Sequence, residues 1–396
     1  MKLTKRVLGM SPSPTMAITS KAKEMRAKGI DVIGFGAGEP DFDTPEHVKR
    51  AAIEAIKSGF TKYTSPAGIP ELRKAVAEKL KRENGIDYSP EEVVITDGAK
   101  LALFNLMLSV IEEGDEVIIP APYWVTYPEQ VKFAGGKPVF VETKEENGFS
   151  LKLEDIEPVV TERTRLLILC TPNNPTGAVI DRSELEKIGE FCAERGILIA
   201  SDECYEKLTY DGFEHTSIAS ISEKIKNVTI TINALSKAFS MTGWRVGYAA
   251  GPKEIIDAMI KINSQSISNV NSVAQKAAVA ALTSPTDFLK DWLKAFDERR
   301  RYMVEKLNEI PGVKCLMPKG AFYAFPNVKE LIEKGGLRDD FALADYLLEK
   351  AKIAVVPGSA FGMPGYLRLS YATSMDNIVE GLNRFKRAAE ELLGEG

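Results

Sequence analysis

The chain has 396 residues, 44% hydrophobic and 27% charged, with 51 basic against 56 acidic side chains and a formal net charge of −5. This balance excludes intrinsic disorder and a general polyanion binder such as a nucleic-acid coat, and the length suits two unequal units with a core that needs no disulfide staples. The cysteines Cys170, Cys192, Cys204 and Cys315 form no C-x-x-C pair and only His47 and His215 are present, so neither a metal site nor a Ser-His-Asp triad is expected.

The opening MKLTKRVLGMSPSP has no apolar signal-peptide core, and no window is apolar enough for a membrane span, which predicts a cytoplasmic protein with no membrane partner. Residues 1–45 show no alternation of helix and strand of their own. GFGAGEP (34–40) carries glycines as a dinucleotide loop does, but continues into EPDFDTP, a loop and not a helix opening. EEVVITDG (91–98) reads as a strand and KLALFNLMLSVIEEG (100–114) as a helix closed by Gly114. DEVIIP (115–120), KPVFVET (137–143), TRLLILC (164–170), GILIASDE (196–203), NVTITINALSK (227–237) and RVGYAAG (245–251) read as further strands, with a charged helix over 183–196. Apolar strands separated by helices predict an α/β fold with a mixed, mostly parallel sheet covered on both faces. After residue 285 a long helix (286–310), short strands at 320–326, 353–357 and 366–372, and a final helix (374–393) predict a smaller α+β unit.

Polar residues and glycines follow several strands, at Gly98, Asn173–Gly177, Asp202 and Lys237. Ligands of open α/β sheets bind at the carboxyl ends of strands, so these positions can meet at one site. Lys237 closes a strand that ends inside the protein, where burial would lower its pKa and make its amine a Schiff-base former; the plain alternative is a loop lysine in solvent. Arg245 is either a phosphate clamp or half of a structural ion pair. Asp202 is either a helix cap or a carboxylate facing a protonated ring nitrogen, and Tyr205 shares its face if the segment turns helically. Asn174 is a ligand donor or part of a surface turn, and Trp124 a stacking face or a core indole. Gly98, Ala99 and Lys100 sit at a helix start, where free N–H groups bind phosphate. Arg368, in strand alternation among apolar neighbours, calls for a substrate carboxylate or an internal acid.

Taken together, GAGEPDF, YTSPAGIPELR, DGAK, PYW, PNNPTG, SDECY, SKAFSMTGWRVGY and LRLSYA occur in the order and approximate spacing of the class I pyridoxal-phosphate aminotransferases of fold type I. From about residue 10 to 390 the chain resembles that family, and most of all its bacterial-type aspartate aminotransferases. The resemblance implies a large cofactor-binding domain over 46–285 and a small domain of 1–45 with 286–396. It implies that Lys237 carries pyridoxal 5′-phosphate, that Asp202 faces the pyridine nitrogen, that Asn174 and Tyr205 bond the ring's 3-oxygen, and that Trp124 stacks on the ring. Arg245, Gly98, Ala99 and Lys100 would hold the phosphate, with Tyr63 supplied by the neighbouring subunit of a homodimer. Arg368 and Gly38 would take the substrate α-carboxylate. Two departures stand out. Ala234 replaces a phosphate-binding serine, leaving Ser236 to compensate, and the stretch 261–273 has no arginine for a side-chain carboxylate. Lys100, with hydroxyls near Ser13 and Thr15, takes that task in the bacterial subgroup. The implied reaction is ping-pong transfer of an amino group, from aspartate as the leading donor, to 2-oxoglutarate. A broad-range aromatic or prephenate aminotransferase and a carbon–sulfur lyase of the same fold are the alternatives.

Overall fold

The apolar runs of the middle of the chain pair into one seven-stranded sheet. The structure is a computed structural model and describes residues 2–11 and 14–394. Its strands, in chain order, are β1 (Ile33–Gly34), β2 (Val93–Thr96), β3 (Glu116–Ala121), β4 (Lys137–Glu142), β5 (Thr164–Cys170), β6 (Leu198–Asp202), β7 (Thr229–Ala234), β8 (Gly247–Ala250), β9 (Tyr323–Ala324), β10 (Ile353–Ala354), β11 (Val356–Pro357) and β12 (Leu367–Ser370). The large sheet has the order β2-β8-β7-β6-β5-β3-β4. Within it β8 runs antiparallel to both neighbours, and the other pairs are parallel.

Every residue of β2, β7 and β8 is buried, the pattern of strands covered on both faces. The period of two divides the side chains between two cores. Val117, Ile119 and Ile168 pack with Leu103 and Leu106 of helix Ala99–Val110 and with Met259 of helix Lys253–Ser266. Ile118, Leu167 and Ile199 pack with Leu185 and Ile188 of helix Arg182–Arg195. The remaining strands form an antiparallel sheet, β11-β12-β9, and a parallel pair in which Ile33 of β1 stands opposite Ile353 of β10. Helices Phe288–Asn308 and Met375–Leu393 close a third core there, through Phe296, Leu307, Leu382 and Phe385. The expected α/β architecture is therefore present.

Three local expectations differ. The strand expected over 227–237 stops at Ala234, the last residue paired with β8, and Leu235–Ala238 coils into a helical turn that carries Lys237. The run at 353–357 is two strands, because β10 pairs with β1 while β11 pairs with β12. Residues 1–45 contain a helix at Pro14–Ala27 and the strand β1. Among the described side chains of that helix only Ala22 is buried, so its apolar period is faint in the sequence.

Candidate active site

The carboxyl ends of the parallel strands and the amino end of β8 border one cavity of about 480 Å³. Asp202 ends β6 opposite Cys170, which ends β5. Its carboxylate accepts the Tyr127 hydroxyl at Oδ2 (2.7 Å) and the Cys204 backbone N–H at Oδ1 (3.3 Å). Burial raises the Asp202 pKa, and the hydrogen bonds from Tyr127 and Cys204 oppose that rise. Lys237 donates from Nζ to the Gly38 carbonyl. Burial brings its pKa down to about 8; Cys204 and Glu39 oppose that fall, and the Arg368 and Arg245 charges add to it. Ala234 and Ser236 line the cavity beside it.

The corner at Arg245 is built by close backbone approach. Gly98 caps helix Ala99–Val110 with φ 79°, a conformation that favours glycine, and a Cβ there would stand 2.6 Å from Nη2 of Arg245. Gly247 allows a second approach, since its Cβ would meet the Ala99 nitrogen at 2.6 Å. Arg245 donates to the carbonyls of Thr242 (3.0 Å) and Asp97 (2.9 Å), which fixes its guanidinium at the start of that helix. The first N–H groups of a helix have no partner within it, so Ala99 and Lys100 present donors beside this cation. Lys100 sits with Nζ 4.9 Å from the Trp124 ring centroid, and burial together with Arg245 lowers its pKa.

On the opposite wall Arg368 is 3% exposed. It donates to Asn174 Oδ1 (2.9 Å) and to the Gly36 carbonyl (2.8 Å), and its buried Nε has no partner among the described residues. Among the described residues no carboxylate pairs with it, so the internal acid that was the plain alternative is not found. Burial lowers its pKa, as expected of a guanidinium that lacks an anion.

The cavity thus gathers Lys237, Asp202, Tyr205, Ala99, Lys100, Trp124, Asn174, Ser236, Arg245, Gly38, Arg368 and Thr15. Gly98 lies against Arg245 at its edge. Tyr63 is elsewhere, 89% exposed. Ser13 lies outside the described residues. Tyr127, Tyr323 and Lys23 also line the cavity, and the sequence reading missed all three. For Tyr127 the signal was its place three residues beyond Trp124, in the first turn of helix Thr126–Ala134.

A model of the family described as aminotransferase class I and II matches residues 30–385. A probable aspartate/prephenate aminotransferase of Aquifex aeolicus is 55% identical over 392 residues, covering 98% of this chain and 99% of that protein. An aspartate aminotransferase of Bacillus subtilis is 51% identical over 391 residues, covering 99% and 100%. Among solved structures, the Thermus thermophilus aspartate aminotransferase with maleate superposes with a TM-score of 0.94 at 46% identity, covering 98% of this chain and 100% of that one.

Proposed function

The chain belongs to the class I and II aminotransferases, and from that premise we propose that it is a cytoplasmic, pyridoxal-phosphate-dependent aspartate aminotransferase with 2-oxoglutarate as amino acceptor. The observation that carries the reading is one cavity lined by a lysine of depressed pKa, a buried carboxylate and a buried arginine with no anion among the described residues.

The residues fit the cofactor. Lys237 would hold it covalently and Asp202 would face its ring nitrogen. Trp124 would stack on it, and Asn174 and Tyr205 would meet its 3-oxygen. Arg245, Ser236 and the helix start at Gly98, Ala99 and Lys100 would take its phosphate. When bound, pyridoxal phosphate supplies an electron-withdrawing ring that stabilises the charge left when the substrate's α-proton departs. Asp202, whose carboxylate accepts from Tyr127 and the Cys204 N–H, would favour a protonated ring nitrogen. Arg368 binds the α-carboxylate through a bidentate pair that satisfies its idle Nε, and Gly38 leaves room beside it. Once the substrate amine has replaced it on the cofactor, Nζ of Lys237 would take the α-proton, and a pKa near 8 keeps part of the free amine neutral at physiological pH. Lys100 and Thr15 face the distal carboxylate. Residues 46–285 would form the large domain, and 1–45 with 286–396 the small one. Tyr63 would serve the neighbouring site of a homodimer.

A second acceptor follows from the Aquifex relative's name, which includes prephenate. Prephenate is also a dicarboxylic oxo acid, so the same two cationic walls suit it.

The test is reconstitution with pyridoxal phosphate, borohydride reduction and peptide mass spectrometry, followed by single amino acids added without acceptor. The expected result is a cofactor mass on Lys237, loss of the visible band with aspartate and its return with 2-oxoglutarate. Prephenate is the second acceptor to try. Lys237→Ala should fold and turn over at less than about a hundredth of the wild-type rate. An unmodified Lys237, or a band indifferent to aspartate, overturns the proposal.

A further inference from the structure

Tyr323, fully buried in β9, joins groups from both walls of the cavity. Its hydroxyl lies 2.7 Å from that of Tyr205, and the two rings meet edge to face at 5.8 Å. The Arg368 guanidinium lies over its ring, with Cζ 4.4 Å from the centroid. A Cβ at Gly38 would stand 3.0 Å from the same hydroxyl, so the glycine leaves room for it.

A tyrosine hydroxyl has a single proton. If Tyr205 donates to Tyr323, none is left for an acceptor in the cleft. If Tyr323 donates to Tyr205, the Tyr205 proton is released toward the cavity, and the two O–H bonds point the same way and polarise each other. The cation over the Tyr323 ring favours the second arrangement, because a guanidinium on a π face draws the ring toward its more negative form and sharpens its hydroxyl as a donor. Consistently, the Arg368 charge opposes the upward push of burial on the Tyr323 pKa.

Building on the proposed contact of Tyr205 with the cofactor's ring oxygen, we propose that Tyr323 is a positioning residue. It sets the direction of the Tyr205 proton and links that direction to the arginine that binds the substrate carboxylate.

The experiment uses wild type, Tyr323→Phe, Tyr205→Phe, the double variant and Tyr323→Leu, each reconstituted with pyridoxal phosphate. The readouts are the pH titration of the visible band, the Kd for succinate and the thermal midpoint. A hydroxyl donating to a ring oxygen favours the state in which that oxygen is more negative, the deprotonated state. Weakening the donor therefore raises the titration midpoint. Tyr323→Phe should raise it by about half a pH unit or more, with the thermal midpoint and succinate binding close to wild type. In the Tyr205→Phe background the same change should add nothing, because the relay is already cut. Tyr323→Leu also removes the face beneath Arg368 and should weaken succinate binding by about fivefold. An unmoved midpoint in Tyr323→Phe, or a full additional shift in the double variant, overturns the inference while leaving the proposed function standing. A wild type that forms no visible band overturns the proposed function itself.

Discussion

Asp202 is kept in place by neutral donors, Tyr127 and the Cys204 N–H, with no cation among the described residues bonded to its carboxylate. The Tyr127 bond to a buried carboxylate is of the stronger class, so Tyr127→Phe should lower kcat/KM by about tenfold. Steady-state kinetics at saturating cofactor checks this, and an unchanged value would mean Asp202 is held some other way. Lys100 makes a separable contribution if it faces the distal carboxylate: Lys100→Ala should cost aspartate about tenfold more in kcat/KM than alanine or phenylalanine. Equal losses for all three would assign it to the phosphate alone. The residues that the sequence made legible are those tied to local signals: Asp202 and Asn174 just past apolar strands, Gly98 at a helix start, Arg368 in strand alternation. Tyr323 was not legible, because its partner Tyr205 lies 118 residues away in the chain and no local pattern records such a pair, while Tyr127 had its spacing from Trp124 to mark its place but nothing local to mark its bond to Asp202, 75 residues away.

Behind the Asp202–Tyr205 turn lies a buried network that joins it to the helix Pro70–Lys79 and the turn that follows. Lys79 pairs with Glu206 and donates to Asn84 Oδ1 (2.7 Å), and Asn84 donates in turn to Glu206 Oε2 (2.6 Å) and to Ser217 (2.7 Å). Burial alone would raise the Glu206 pKa, but the charges of Lys79, His215 and Lys207 prevail and hold it at about 2. Because the folded pKa is depressed, this carboxylate adds stability that is complete above its unfolded pKa and fades as pH falls from about 4.5 toward 2. Glu206→Ala leaves Lys79 buried without a counterion and should cost about 3–5 kcal/mol near neutral pH. Urea unfolding of both proteins should show the gap narrowing across that acid window, and a gap independent of pH would sink the claim. At this scale the central strands were readable from their apolar runs. The breaks at Ala234 and between β10 and β11 were not, since an apolar run does not say which neighbour it pairs with.

Across the whole molecule, Tyr63 stands 89% exposed and absent from the cavity its own chain forms. If it completes the neighbour's site, mixing Lys237→Ala with Tyr63→Ala chains should raise activity above both parents. In the hybrid, the chain with an intact Lys237 receives an intact Tyr63 from its partner. Refolded mixtures assayed against each parent check this, and activity equal to the average of the two would refute it. The α/β architecture was legible because its central strands are short and apolar. The way two sheets and the N-terminal helix share the remaining chain was not, because that depends on pairings such as Ile33 with Ile353, far apart in sequence. The reversed direction of β8 has a further consequence. A strand running against its neighbours enters the sheet where they leave it, so the return from β7 never crosses to the far edge. Lys237 and Arg245 are thereby set by one short contiguous stretch, and length changes in distant surface loops cannot pull the two apart.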